Sequence, residues 1–205
     1  MSPGVKKAVV FEETYRDYLK QLSGMDYLAR ADILGAEISG SELIIDFYKD
    51  AYRVSADGIT DSSGKRANFA VSVLLCKYIL VCPREVPQDG TWVTYREFRD
   101  AGPLIGYFNA NTNKTIKSSF SGRPDLLEKA CRKLGAAPHE DGASYDLSLI
   151  FHALPRIPVL LRFNDRDDEF PAHCSILFRQ SAEHYLDMES LAIAGTFLAG
   201  NLIRP

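Results

Sequence analysis

Apolar residues recur at helical spacing near both ends of the chain. An N-terminal helix is predicted from positions three or four residues apart: Phe11, Tyr15, Tyr18, Leu19 and Leu22. A second N-terminal helix is predicted over residues 25–34, with Gly35 as its C-cap. Central helices are expected over residues 68–81, 114–120 and 125–134, and a C-terminal amphipathic helix is predicted over residues 191–202.

Alternating apolar and polar residues predict strands in two parts of the chain. Residues 43–48 and 51–54 form a predicted hairpin that turns at Lys49 and Asp50. In the C-terminal third, strands over residues 147–151, 159–163 and 172–178 are expected to share one sheet. Pro155 and Pro158 are expected in the turn between the first two of these strands, because proline donates no ladder hydrogen bond.

Helices and strands that occur in separate runs are typical of an α+β fold. Between the main elements, residues 94–98 predict one helical turn capped at Thr94, and the glycine- and proline-containing segment 102–106 predicts a bend. We therefore expect a single α+β domain over residues 1–205. It should contain a mostly antiparallel sheet, two N-terminal helices, central helices and a C-terminal amphipathic helix.

The charge and hydropathy of the chain argue against nucleic-acid and membrane partners. The 205 residues carry a formal net charge of −3 with both signs interspersed, so a surface that neutralises nucleic-acid phosphates is not expected. The most apolar stretch, residues 69–82, is interrupted by Lys77 and is shorter than the roughly 20 residues that span a bilayer, so no membrane partner is expected. No targeting segment is visible.

Four cysteines are scattered through the chain without a C-x-x-C pair: Cys76, Cys82, Cys131 and Cys174. A chain of this length and composition needs no disulfides to fold, so buried free thiols in a reducing compartment are the better interpretation. We therefore expect a cytoplasmic protein. The oligomeric state stays open.

Several segments of the C-terminal third share their order and spacing with a known family. They are Leu154-Pro155-x-Ile157-Pro158, Asp168-Glu169-Phe170-Pro171-Ala172, Leu177-Phe178, Tyr185-Leu186 and Glu189-x-Leu191. Weaker similarities occur in Leu74-Leu75 with Tyr78-Ile79-Leu80, and in Trp92-x-x-Tyr95-Arg96-Glu97-Phe98-Arg99-Asp100. In these segments the chain resembles a bacterial and archaeal family of uncharacterised domains, domain of unknown function 3786.

This resemblance implies no established activity. Members of the family occur largely in anaerobes, and some carry a fused iron–sulfur domain. The present chain shows no such cysteine-rich segment, so a cluster-related role is expected to belong to a partner. The chain also departs from the family pattern at Arg179, where the resemblance implies an acidic residue.

Motifs for metals, cofactors and catalysis are missing from the sequence. The acidic run 165–169 fails the EF-hand pattern, because Phe170 and Ile176 stand where glycine and glutamate are required. The four histidines form no H-E-x-x-H pair, and G-x-S-x-G, the P-loop and G-x-G-x-x-G motifs do not occur. Neither a metal nor a cofactor is expected, and catalytic residues stay unknown. A pair formed by Cys174 with His173 or His152 would require tertiary proximity.

Two polar–aromatic segments far apart in sequence are the candidates for a binding site. We predict that residues 92–100 and 168–170 line one cleft, with Trp92 and Phe170 as apolar walls. Arg99 would bind an anion there, and Glu169, beside Asp168, would act as its counter-charge or as an acid–base group. Alternatively, the aromatic side chains pack against the sheet edge while Arg99 pairs with Asp100 or Glu97.

Three functions are compatible with this pattern. The leading hypothesis is an accessory module that binds a small ligand or a partner protein, with a link to anaerobic cofactor metabolism implied only by the family resemblance. The alternative is a hydrolase or transferase that uses Asp168, Glu169 and a histidine as acid–base groups. A structural subunit would instead expose a large apolar face on its C-terminal helix.

The first prediction concerns metal content. Because no ligand set has convergent spacing, the purified protein should contain no stoichiometric zinc, iron or iron–sulfur cluster. Elemental analysis measures this directly, and about one metal ion per chain would contradict it.

Overall fold

The computed structural model describes residues 3–204, with side chains from residue 12 onward, so the side chain of Phe11 lies outside the described part. The first half of the chain contains α1 (Pro3–Ser23), a 3₁₀ turn (Leu28–Arg30), α2 (Ala31–Leu34), β1 (Glu37–Ser39), β2 (Glu42–Phe47), β3 (Asp50–Ser55), β4 (Gly58–Asp61) and α3 (Phe69–Leu80). The strands of this half form one antiparallel sheet in the order β1–β2–β3–β4.

The second half contributes a larger sheet and most of the remaining helices. Its elements are β5 (Trp92–Thr94), 3₁₀ turns (Tyr95–Glu97 and Gly102–Leu104), α4 (Ile105–Phe108), a π-helical segment (Asn109–Asn113), α5 (Lys114–Phe120), α6 (Pro124–Lys133), β6 (Ala137–Pro138), β7 (Leu147–Leu154), β8 (Ile157–Asn164), β9 (His173–Arg179), a 3₁₀ turn (Gln180–His184) and α7 (Met188–Leu202). The strands form an antiparallel sheet in the order β5–β9–β8–β7–β6.

These elements confirm the predicted α+β fold. The three C-terminal strands pair with one another as expected, and α3, α5, α6 and α7 lie within about three residues of their predicted limits. Asn68 caps α3 by accepting a hydrogen bond from the Val71 amide at 3.0 Å. Gly35 ends α2 with a φ of 67°, the left-handed conformation typical of a C-cap.

The two faces of the five-stranded sheet carry different side chains. Leu149, Leu161 and Ile176 are register partners across β7, β8 and β9, and all three are buried against the helices. The next register level, Ser148, Arg162 and Ser175, points to the opposite side because side chains alternate along a strand. This opposite side is called the outer face below.

Residues 102–120 differ from the sequence prediction. The segment 102–106 was expected to bend, but it begins a helical run that continues through α4 and the π-helical segment into α5. Tertiary packing outweighs the low helix propensity of its two glycines and one proline. Phe108 is buried within this run, stacked on Tyr95 with ring centroids 4.3 Å apart.

Three smaller predictions are corrected by the structure. Residues 25–34 form a 3₁₀ turn and the short α2 rather than one continuous helix. The hairpin turns at Tyr48 and Lys49, one residue earlier than expected. Tyr48 has a φ of 56°, which is held by burial of its ring and by hydrogen bonds of its amide to Ala153 and of its hydroxyl to Ala194. Pro158 lies within β8 opposite His152 rather than in the turn.

The second prediction tests the contact between α7 and the 102–120 run. A Cβ added at Gly195 would lie 2.4 Å from Cε2 of Phe108, so Gly195→Ala should destabilise the protein by about 1–3 kcal/mol. Gly200 lies on the same helix with open space around its Cα, so Gly200→Ala should stabilise the protein by about 0.5–1 kcal/mol. Urea unfolding of both variants measures the difference, and equal effects would show that the helices do not approach this closely.

Candidate functional site

A cleft of about 540 Å³ opens beside the edge of the five-stranded sheet. It lies between the start of β9, the end of β5 with the 3₁₀ turn that follows, and the helical run formed by α4 and the π-helical segment. Its lining residues are Thr94, Tyr95, Arg96, Ile105, Phe108, Asn109, Asn113, His173, Cys174 and Ser175. It is called the edge cleft below.

Two stacked aromatic rings form the rigid part of the edge cleft. The rings of Tyr95 and Phe108 are nearly parallel, at 7°. The Tyr95 hydroxyl donates a hydrogen bond to the Met188 carbonyl at 2.7 Å, which ties this stack to the first turn of α7. Burial raises the pKa of Tyr95 to about 12, so its hydroxyl is neutral at physiological pH.

The π-helical segment contributes two asparagines to the edge cleft. β5 ends at Thr94, which pairs with Leu177, so the next part of β9 has no neighbouring strand on that side. The Asn113 side chain takes the place of a strand there, because its Oδ1 accepts a hydrogen bond from the Ile176 amide at 3.1 Å. Segments of π-helix are frequent at functional sites, where the extra residue changes which side chains point inward.

The edge cleft is basic although the protein as a whole is acidic. Arg96 and His173 line it and are exposed, and none of its lining residues is Asp or Glu. The neighbouring carboxylate of Glu97 accepts hydrogen bonds from the amide and hydroxyl of Thr94, at 2.7 and 2.6 Å. These bonds lower the pKa of Glu97 and confirm the predicted capped turn. The cleft therefore offers hydrogen-bond donors and positive charge to a ligand.

Cys174 lines the edge cleft but lacks the environment of a nucleophile. Its side chain is buried, and burial raises the pKa of the thiol to about 12. A thiol in this state is protonated at neutral pH, whereas the thiolate is the reactive form. The structure therefore gives no support to a catalytic cysteine at this position.

The five residues predicted from the sequence to bind a ligand do not line the edge cleft. Trp92 is half-buried on β5 and pairs with Arg179, whose guanidinium lies 4.2 Å from the centroid of the indole ring. Arg99 is exposed just beyond the 3₁₀ turn. Asp168, Glu169 and Phe170 are exposed in the loop between β8 and β9, where Asp167 accepts hydrogen bonds from the amides of residues 169 and 170.

The structure brings the two predicted segments together through other residues. Thr94, Tyr95 and Arg96 line the cleft together with His173, Cys174 and Ser175, which begin three residues after the 168–170 segment. Trp92, however, pairs with the last residue of β9, whereas Phe170 precedes the first residue of that seven-residue strand, which spans roughly 20 Å, and this separation argues against a shared apolar wall. A binding role for Trp92, Arg99, Asp168, Glu169 or Phe170 stays a prediction.

Sequence reasoning missed the contribution of the helical run to this site. The pattern Asn109-x-Asn111-x-Asn113 was the available signal, since three asparagines close together are unusual inside a helix. It was not recognised because residues 102–106 were assigned to a bend. Sequence reasoning also gave no sign of the contact between Trp92 and Arg179, whose guanidinium lies over the indole ring.

Residues 26–201 match the family model described as a domain of unknown function, DUF3786. The chain belongs to the DUF3786 family. The match confirms the resemblance found in the sequence and includes the edge cleft in full. No curated protein and no solved structure matches the chain.

The described part of this DUF3786 protein has neither a metal-ligand cluster nor a membrane-spanning helix. In the part of the chain that the structure describes, no group of three or more His, Cys, Asp or Glu side chains is placed to hold a metal ion. Within the same residues, no helix combines the length and the apolar character needed to cross a bilayer.

The third prediction concerns thiol reactivity at and around the edge cleft. Cys174 and Cys76 are buried with their pKa raised to about 12, whereas Cys82 is half-buried. Iodoacetamide at neutral pH should therefore modify Cys82 first and leave Cys174 unmodified in the native protein. Peptide mass spectrometry after a timed reaction identifies the modified residue. Rapid labelling of Cys174 in native protein, with urea-unfolded protein as the control, would mean that the cleft activates this thiol.

Proposed function

We propose that this DUF3786 protein is a non-catalytic module that binds a small organic anion in the edge cleft. The observation that carries the proposal is the composition of the cleft wall, which has two basic side chains and no acidic one in a protein of net charge −3. A wall of this kind attracts anions, because positive charge in a cleft whose lining holds no carboxylate raises the local concentration of counter-ions.

The polar groups of the edge cleft suit a carboxylate or phosphate group. Arg96 can donate two parallel hydrogen bonds to such an oxyanion, and His173 approaches from β9. Hydroxyls of Thr94 and Ser175 and amides of Asn109 and Asn113 supply further donors. Ile105 and Phe108 add apolar surface for the remainder of the ligand, and a volume of about 540 Å³ accommodates a metabolite-sized molecule.

The geometry supports binding over the hydrolase or transferase alternative. That alternative requires a carboxylate beside a histidine, but Asp168 and Glu169 are exposed and outside the cleft lining. Burial of α7 also argues against a purely structural subunit, because most of this helix packs in the core: Ser190, Leu191, Ala192, Ala194, Gly195, Leu198, Ala199 and Leu202 are buried.

The cellular setting is part of the same proposal. The described cysteines are free, and Cys76, Cys131 and Cys174 are buried, a pattern that fits a reducing compartment such as the cytoplasm. An accessory role in anaerobic cofactor metabolism, with a protein partner or a small molecule, rests on the family resemblance alone.

The fourth prediction places a negative charge in the edge cleft. Asn109→Asp adds a carboxylate to an exposed position of the cleft wall, so it should weaken anion binding about tenfold through like-charge repulsion. Asn111→Asp makes the same change on the same π-helical segment at a residue that does not line the cleft, and it should have little effect. Native mass spectrometry of protein purified at low ionic strength measures the fraction that carries a co-purified anion.

A second pair of variants separates this proposal from the sequence-based one. Arg96→Ala should remove the bound anion, whereas Arg99→Ala should retain it, and both side chains are exposed so that neither change should lower stability much. If only Arg99→Ala loses the anion, then Arg99 rather than Arg96 binds it. Equal occupancy in all four variants would show that the edge cleft does not bind the anion.

A further inference from the structure

Three buried polar atoms on the outer face have no hydrogen-bond partner among the described residues: His139 Nε2, Ser148 Oγ and Arg162 Nε. They belong to one register level of the sheet. Ser148 on β7 is opposite Arg162 on β8, and the His139 amide donates to the Ser148 carbonyl at 2.9 Å. The three side chains are therefore neighbours across adjacent strands.

His139 and Ser148 line a cavity of about 460 Å³ at the loop that joins β6 to β7. The cavity is lined by Pro138, His139, Glu140, Asp141, Gly142, Ala143, Ser144, Tyr145 and Ser148. Arg162 borders this loop, since its Nη2 bonds the Asp141 carboxylate and its guanidinium lies 4.9 Å from the centroid of the Tyr145 ring. Its Nε stays unused, although arginine commonly binds an oxyanion through Nε and a terminal nitrogen together.

Trp92 extends the site across the outer face. Its ring meets the ring of His139 with centroids 5.7 Å apart, although the two residues belong to opposite edges of the sheet. The outer face is therefore concave between them. Leu160 and Leu177, which point to this face, are buried outside the main core cluster. The Arg179 guanidinium lies over the indole ring and adds a second guanidinium to the concave face.

Clustered unpaired atoms of this kind require an explanation. An unsatisfied buried donor costs folding free energy, and such groups are rare in native proteins unless a ligand or an ordered water binds them. Three of them side by side, next to a cavity much larger than one water molecule, indicate a site built for a ligand.

We propose that the concave outer face is a second binding site, which takes the carboxylate or phosphate group of a small molecule. Arg162 Nε donates to it, as do Ser148 Oγ and the Nε2–H tautomer of His139. The Asp141 carboxylate does not occupy these donors, since it lies 3.7 Å from His139 Nε2, beyond hydrogen-bonding distance, and it also accepts from the Ala143 amide. Glu140 and Asp141 also line this cavity, so we place the anion at the three free donors and the Arg162 guanidinium rather than at the loop.

Anion binding at this site can be measured by the fluorescence of Trp92, the single tryptophan of the protein. Trp92 contacts His139, so inorganic phosphate or succinate titrated into the full-length protein should change its fluorescence along a saturable curve. Phosphate and succinate distinguish a phosphate-bearing from a carboxylate-bearing ligand. Ser148→Ala removes one donor, and Arg162→Lys removes Nε while retaining a cation beside Asp141. Each should weaken binding of the effective anion at least about tenfold.

Matched controls make the outcome decisive. Arg53→Lys changes an exposed, ion-paired strand arginine far from the outer face and should leave the titration unchanged. Asn109→Asp should affect only the edge cleft, since the two cavities share no lining residue, so failure of one site does not imply failure of the other. The proposal is overturned if neither anion gives a saturable change at millimolar concentration. It is also overturned if Ser148→Ala, with unchanged melting temperature, binds as the wild type does.

Discussion

The close approach of α7 to the 102–120 helical run determines where the edge cleft lies. Gly195 lacks a side chain, and this absence lets the Phe108 ring reach the backbone of α7. Phe108 in turn stacks on Tyr95, whose hydroxyl binds the first turn of the same helix. These contacts fix α7, the ring stack and the turn after β5 relative to one another. The π-helical segment begins directly after Phe108, so its position is fixed as well, and Asn109 and Asn113 line the cleft beside β9.

The polar chemistry of the protein is concentrated at the larger sheet. Its inner face is apolar and packs on helices, so polar side chains remain only along the open edge and on the outer face. At the edge, hydrogen-bond donors surround a cleft without carboxylates. On the outer face, the alternation of strand side chains aligns Ser148 and Arg162 with Ser175, which itself belongs to the cleft wall. The two proposed sites therefore lie at the two ends of one row of polar residues.

Much of the fold could be predicted from the sequence because local signals and tertiary packing agree there. Asn68 and Gly35 terminate helices by bonding or conformation that depends only on neighbouring residues, and the strands of the C-terminal third show clear alternation. Prediction failed where packing opposes local preference. The glycines and proline of residues 102–106 favour a bend, and nothing in the sequence shows that Phe108 would be held helical by a glycine almost 90 residues later.

The candidate site was predicted at the level of segments but not of residues. Both segments around the edge cleft were selected for their mixture of aromatic and charged residues, yet the side chains that face the cleft depend on strand register. A shift of a few positions exchanges Arg99 for Arg96 and Glu169 for His173. Likewise, the arginine over Trp92 comes from the neighbouring strand, which sequence distance cannot show.

The short length of β5 has a consequence for how the protein behaves in a crowded solution. On the side opposite β8, the first half of β9 has no neighbouring strand among the described residues, and an unpaired strand edge is a template on which another chain can add its own strand. The Ile176 amide on this edge donates its hydrogen bond to the Asn113 side chain, and the helical run packs beside the edge. The same asparagine that lines the edge cleft thus also hinders self-association through the sheet edge, so one side chain contributes both to the cleft and to solubility.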